Sequence, residues 1–187
     1  MEAFLVSTGI VALAEIGDKT QLLSLVLAAR YKRPWPIIAG IFIATILNHG
    51  LAGALGAWLA QLIGAEALRW ILGLSFLAMA AWILVPDKLD DEEPRIRKLG
   101  VFGTTLVLFF LAEIGDKTQI ATVALAAEYR NLLPVVLGTT LGMMLANAPV
   151  VFMGDALAKR LPIKKVHAIA AFIFLMLGLA ALFGWGG

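Results

Sequence analysis

The sequence predicts an all-α integral membrane protein, with six transmembrane helices arranged as two inverted three-helix repeats. Three observations carry that reading. The 187 residues are 61% hydrophobic and only 15% charged, with a mean hydropathy of +0.92, whereas a soluble domain carries about 25% charge. The apolar residues run in helix-length stretches, without the ten-residue alternating segments of a barrel. Finally, the six residues Glu-Ile-Gly-Asp-Lys-Thr occur twice, at Glu15–Thr20 and at Glu113–Thr118.

Spans of about 20 or more mostly apolar residues fall at 4–29, 35–62, 67–86, 100–127, 132–158 and 166–185. The first opens on Met1-Glu2-Ala3-Phe4, which has no positive n-region and reads as the start of a retained helix, not a cleaved signal. Arg30-Tyr31-Lys32-Arg33-Pro34 separates it from the second. Gly64, Glu66 and Arg69 mark the turn into the third. Asp87 to Lys98 is the one strongly charged stretch, and it divides the chain. Glu128-Tyr129-Arg130-Asn131 links the fourth and fifth spans, and Lys159 to Lys165 links the fifth and sixth. The expected organisation is a first repeat over 1–86, a cytoplasmic charged linker over 87–98, and a second repeat over 99–187.

The halves repeat at an offset of 98 residues. Leu13 through Gln21 is identical to Leu111 through Gln119. The register continues with Leu27-Ala28-Ala29 over Leu125-Ala126-Ala127 and Tyr31 over Tyr129. It also sets Pro36 over Pro134, Gly40 over Gly138 and Gly56 over Gly154. Three helices per half is an odd number, so the second half enters the membrane from the opposite side. Such repeats place ion sites near the midplane, at the interface between the halves.

Basic residues give the orientation. The first, central and last connections share one face and hold eleven of the 15 lysines and arginines. Arg69 and Arg130 lie on the other face, and Lys19 and Lys117 lie inside the motifs. Both termini are therefore expected outside the cytoplasm. A sequence pI near 9.0 reflects this placement at segment ends and gives no reason to expect nucleic acid. The chain has no cysteine, which excludes disulfides and thiolate ligands.

Ionisable groups within a membrane span cost roughly 2.5–3.5 kcal/mol each, so they mark function. On a continuous helix Glu15, Asp18 and Gln21 share one face, as do Glu113, Asp116 and Gln119. Lys19 and Lys117 follow the glutamates by four residues, in reach of an ion pair. Gly17 and Gly115 either allow close helix approach or let the helix loosen and free carbonyls. Four carboxylates and two ammoniums sum to about −2 if all are ionised, which matches a divalent cation. Carboxylate, amide and hydroxyl oxygens suit hard cations such as Ca²⁺, Mg²⁺ and Mn²⁺. Without the cation, crowded carboxylates repel and lose hydration, so protons replace the metal as it leaves. The simpler reading is a structural Glu–Lys pair; it leaves Asp18, Gln21 and the duplication unexplained.

Other positions carry weaker signals. Thr20 and Thr118 can bond back to their own helix. His49 lies over Asn147 in the repeat register, beside Asn48; an imidazole there can ligate Mn²⁺, carry protons or make a packing hydrogen bond. Pro149 frees the carbonyl of Leu145. Gly40 and Ala44, over Gly138 and Gly142, read as close-packing faces. Asp155 reads as interfacial, and tryptophans near the segment ends as an aromatic belt.

The doubled Glu-Ile-Gly-Asp-Lys-Thr resembles the signature E-x-G-D-[KR]-[TS] of the GDT-one family, also catalogued as uncharacterised protein family sixteen. The resemblance covers essentially the whole chain, and both copies match without departure. It implies six-helix cation/proton exchangers for Mn²⁺ and Ca²⁺. It implies metal binding by Glu15, Asp18, Glu113 and Asp116, with Lys19, Thr20, Gln21, Lys117, Thr118 and Gln119 as signature or adjacent positions. The short chain is similar to the bacterial members, several of which export manganese from the cell across the inner membrane.

The expected function is secondary active exchange of Mn²⁺, or also Ca²⁺, for protons. No resident cofactor is expected, and the partners are the cation and the bilayer, with the oligomeric state open and a monomer included. No Walker-type phosphate loop is present, so no ATPase is encoded. Export of another small cation or an amino acid is the alternative. A carboxylate-based intramembrane hydrolase is disfavoured, because two identical motifs do not supply an asymmetric acid and base. A structural membrane subunit is the remaining alternative.

Overall fold

The computed structural model describes residues 1–85, 99–153 and 163–184. Among these residues the chain is all helix and turn, in eight helices. They are α1 (Glu2–Glu15), α2 (Lys19–Tyr31), α3 (Pro34–Leu62), α4 (Ala65–Trp82), α5 (Gly100–Glu113), α6 (Lys117–Tyr129), α7 (Leu132–Met153) and α8 (Ile163–Phe183).

Four of these, α3, α4, α7 and α8, are long and apolar enough to cross a membrane. The other four have 13 or 14 residues. At 1.5 Å per residue each measures about 20 Å, short of a hydrocarbon core of about 30 Å. They occur as consecutive pairs, α1 with α2 and α5 with α6, over the first and fourth expected spans. The continuous helices expected over 4–29 and 100–127 are therefore broken, and both breaks fall inside the repeated motif. The linker over 87–98, Gly154, Asp155 and residues 159–162 lie outside the described residues, while residues 163–165 of the expected last connection are helical and open α8.

Helix ends follow local chemistry. Pro34 opens α3 in the first turn, where its missing N–H costs nothing. Lys32 and Arg130 close α2 and α6 in the left-handed region, at φ 51° and 49°, and their amides bond Ala28 O and Ala126 O. These two caps are 98 residues apart, in the repeat register.

The packing pairs elements across the halves. α1 and α2 lie against α7, α3 lies against α5, α6 and α7, and α4 lies against α8. Glycines set the closest approaches. A Cβ at Gly40 would meet Thr105 Cβ at 2.7 Å and Phe102 O at 2.9 Å. A Cβ at Gly138 would meet Phe4 O at 2.5 Å and Ser7 Cβ at 3.0 Å. Phe102 and Thr105 are the repeat counterparts of Phe4 and Ser7, so both halves make the same contact. The small-residue faces expected at Gly40 and Gly138 do serve as packing surfaces.

Polar and ionisable residues are buried alongside the apolar core, and large apolar side chains face outward. Glu15, Asp18, Gln21, Ser24, Asn48, His49, Glu113, Asp116 and Asn147 are buried, while Leu47, Leu51, Leu55, Trp58, Leu141, Leu145 and Phe172 are exposed. An apolar exterior with ionisable groups held inside suits lipid as the surrounding solvent. Trp35, Trp58 and Trp70 are exposed near helix ends, where an aromatic belt sits.

Candidate metal centre

Each copy of the motif stops one helix and starts another. α1 ends at Glu15, Ile16 is extended, Gly17 has φ +87°, and Asp18 is the N-cap of α2. In the second copy α5 ends at Glu113, Ile114 is extended, Gly115 has φ +75°, and Asp116 is the N-cap of α6. Only glycine enters that positive-φ region without strain. Asp116 caps through its side chain, accepting the Thr118 N–H at 3.5 Å. Of the two roles expected for these glycines, both adopt the loosened helix, and Gly17 also allows close approach of α8, where Ile163 Cγ2 would lie 2.6 Å from an added Cβ.

The glutamines hold the breaks in place. Gln21 Oε1 accepts the Gly17 N–H at 2.8 Å, and Gln119 Oε1 accepts the Gly115 N–H at 2.7 Å. Their amide groups reach across the molecule. Gln21 Nε2 donates to Ala146 O in α7 at 3.0 Å, and Gln119 Nε2 donates to Asn48 Oδ1 in α3 at 3.2 Å. Asn48 Nδ2 donates in turn to Phe110 O at 3.0 Å. Both glutamines, expected among the metal residues, are thus placed as tethers of the backbone.

The breaks change which carboxylates meet. Asp18 and Glu15 do not share a helical face, because they lie on different helices. Glu15 and Lys19 do not form the expected pair. Lys19 Nζ instead lies 3.0 Å from Asp116 Oδ1, and Lys117 Nζ lies 3.4 Å from Asp18 Oδ1. Each lysine crosses to the aspartate of the other motif. The i, i+4 expectation assumed an unbroken helix; the extended Ile16 and the Gly17 turn redirect the chain before Lys19.

Ligand atoms of Glu15, Glu113 and Asp116 lie within 4.8 Å of one another, and all three residues are buried. Two oxygens on opposite sides of one divalent ion are about 4.2–5 Å apart, so the group has the dimensions of a single site. The threonines face the carboxylates rather than their own helices. Thr20 Oγ1 donates to Glu15 Oε2, and Thr118 Oγ1 lies 3.1 Å from Glu113 Oε2 and 3.3 Å from Asp116 Oδ2. Glu15 Oε1 and Glu113 Oε1 are left buried without a hydrogen-bond partner. A bare buried carboxylate oxygen is costly, and a cation satisfies it.

Electrostatics act in the same direction. Glu15 and Glu113 are the last residues of α1 and α5, where the helix dipole is negative and attracts cations. Asp18 and Asp116 sit at the N-termini of α2 and α6, where the dipole favours an anion. Formal charge divides accordingly. Lys117 offsets Asp18, and Lys19 offsets one of the three clustered carboxylates. About −2 remains on the cluster itself if all are ionised.

His49 and Asn147 lie within α3 and α7, but their surroundings differ. Asn147 Oδ1 accepts from Ser24 Oγ at 2.7 Å, and its Nδ2 donates to Met143 O at 3.1 Å. His49 Nε2 lies 3.8 Å from Glu113 Oε2. One contact had no sequence signal: His167 in α8 places Nε2 2.6 Å from Ile16 O, at the first break. The breaks themselves did have one, since a glycine followed by aspartate inside an apolar run is a helix stop followed by an N-cap.

Comparison with known proteins gives the same direction. The family described as divalent cation/proton antiporter GDT1 matches residues 3–91 and 101–186. A Vibrio cholerae protein named "Putative manganese exporter" is 53% identical over 184 residues, covering 98% of this chain and 92% of the relative. A GDT1-like protein of Synechocystis is 32% identical, covering 93% of each chain. GDT1-like protein 4 of Oryza sativa subsp. japonica is 29% identical, over 97% of this chain and 73% of the relative. No solved structure matches the chain. By family match and by similarity over nearly its full length, the chain belongs to the GDT1 family of divalent cation/proton antiporters.

Proposed function

We propose that this protein is a secondary transporter that exports Mn²⁺ in exchange for protons, with Ca²⁺ as a second substrate. One observation carries the reading. Three buried carboxylates, drawn from both motifs, converge within 4.8 Å, and two of their oxygens have no hydrogen-bond partner. Glu15, Glu113 and Asp116 hold the dehydrated cation, Thr20 and Thr118 orient the carboxylates, and Lys19 trims the charge to that of a divalent ion. Asp18 and Lys117 clamp the two motifs together, and Gln21 and Gln119 keep both breaks open.

Proton coupling follows from the same group. When the metal departs, three carboxylates are left crowded in a low-dielectric site, and protons neutralise them. One site that takes either metal or protons, reached alternately from each side, is an exchanger. The repeat architecture supports alternating access. Six spans as two inverted halves, each with a broken first span, is consistent with the matched contacts of Gly40 and Gly138 and with the crossed lysine pairs. Positive residues at 30, 32, 33, 88, 95, 97 and 98 support a cytoplasmic central linker and outside termini, in a bacterial inner membrane. Manganese as the substrate is supported by the name of the Vibrio relative.

Purified protein in liposomes tests this. Mn²⁺ movement is expected to follow an imposed pH gradient and to collapse without it. Glu15→Gln together with Glu113→Gln is expected to abolish it. Unchanged flux in that double variant overturns the site.

A further inference from the structure

We propose that His49 is a metal ligand on the Glu113 side of the site, and that its nitrogen biases the transporter toward Mn²⁺ over Ca²⁺. The inference rests on the proposed cation site and names what makes that site selective.

His49 is 0% exposed, in the middle of α3, and neither Nδ1 nor Nε2 has a hydrogen-bond partner. A buried imidazole normally satisfies both nitrogens, one as donor and one as acceptor. Leaving both bare is costly unless something else takes the acceptor nitrogen. Nε2 lies 3.8 Å from Glu113 Oε2. That is too long for a hydrogen bond. It is the separation of two ligands sharing one ion: donors at about 2.1–2.2 Å and an angle a little above tetrahedral lie about 3.5–3.8 Å apart. Glu113 already belongs to the three-carboxylate group and carries a bare oxygen, Oε1.

The other half of the molecule offers no equivalent. The repeat counterpart of His49 is Asn147, and its side chain is engaged by Ser24 and by the Met143 carbonyl. Among the described residues, the carboxylate group therefore has oxygen donors from both motifs, and the imidazole of His49 adjoins it at Glu113. Ca²⁺ takes oxygen ligands, whereas imidazole suits transition metals. A single neutral nitrogen in a carboxylate cage penalises Ca²⁺ without adding charge.

The test is pulsed electron paramagnetic resonance of Mn²⁺ bound to the full-length chain in detergent. The electron spin echo is expected to carry directly bound ¹⁴N modulation, which changes to the ¹⁵N pattern when histidine is labelled. His49→Gln is expected to bind Mn²⁺ without that modulation, and its Mn²⁺ to Ca²⁺ preference is expected to fall roughly tenfold or more. Labelling His167→Gln, in which His49 is the sole histidine, reads the same nitrogen, so a folding defect in His49→Gln does not mask the answer. Bound Mn²⁺ with no histidine nitrogen coupling overturns the role of His49 and leaves the carboxylate site intact. Mn²⁺ binding that survives Glu15→Gln with Glu113→Gln overturns the site, and this inference with it.

Discussion

Lys19 in the first motif pairs with Asp116 in the second, Nζ to Oδ1 at 3.0 Å. The reciprocal pair, Lys117 with Asp18, is 3.4 Å apart and more deeply buried. The two motifs are thus joined by crossed charges. Lys19 is 28% exposed and Lys117 only 5% exposed at their side chains, so the two pairs carry unequal weight. Removing one partner of a buried pair costs about 3–5 kcal/mol, whereas a partly solvated pair contributes about 0–1 kcal/mol. Lys117→Met is expected to lower the melting temperature clearly more than Lys19→Met. Adding Asp18→Asn to Lys117→Met is expected to restore most of the loss. Equal melting temperatures for the two single variants would contradict this.

Transport is expected to separate the three clustered carboxylates from the fourth. Glu15→Gln, Glu113→Gln and Asp116→Asn each remove one carboxylate charge from the group of three. Each is expected to reduce Mn²⁺ flux in liposomes by roughly tenfold or more. The paired change Asp18→Asn with Lys117→Met removes a neutral unit outside that group and is expected to cost less flux than any of the three. A paired variant that is as inactive as Glu15→Gln would place Asp18 on the ion.

Exchange of backbone amides reports on the breaks. The Gly17 N–H is held by Gln21 Oε1 at 2.8 Å, in a partly buried position. A hydrogen bond of this kind is worth about 1 kcal/mol, or roughly fivefold in local opening. Gln21→Leu is expected to speed hydrogen–deuterium exchange at Gly17 by about that factor while leaving the middle of α3 protected. Gln119→Leu is expected to do the same at Gly115. No change at either glycine would mean that the turns hold themselves.

Glycines divide sharply by their surroundings. A Cβ at Gly142 would meet Thr8 O at 2.6 Å and Ala12 N at 2.9 Å, both backbone atoms. Gly142→Ala is expected to force α1 and α7 apart and cost about 1–3 kcal/mol. Gly9 is helical with nothing within 4 Å. Gly9→Ala is expected to leave stability unchanged or to raise it by about 1 kcal/mol. Thermal unfolding of the two variants side by side checks the contrast.

Much of this was legible in the sequence, for identifiable reasons. The exact doubling of Leu13 to Gln21 fixed which residues correspond, and the helix-packing role of Gly40 and Gly138 follows from their small size. The helical face joining Glu15 to Asp18 was not legible correctly, because that inference extends one helix through Gly17. Whether Gly17 bends depends on what the bend gains: the Gln21 tether and the crossed lysines, both of which reach residues over 90 positions away or across the break. His167 was missed for the same reason. Its partner is a backbone carbonyl, Ile16 O, exposed only once the helix stops there.

The two breaks share a sequence but not a cover. Against Gly17 lies the Ile163 side chain, and His167 holds the adjoining carbonyl; beside Gly115 nothing among the described residues lies within 4 Å of a would-be Cβ. In the repeat register Ile163 corresponds to Ala65 and His167 to Arg69. A methyl group cannot reach where isoleucine does, and a guanidinium prefers water to a peptide oxygen in an apolar wall. Exchanging the roles of the halves therefore does not regenerate an arrangement of equal energy. The asymmetry between the two breaks thus originates in α4 and α8, outside the identical stretches Leu13–Gln21 and Leu111–Gln119.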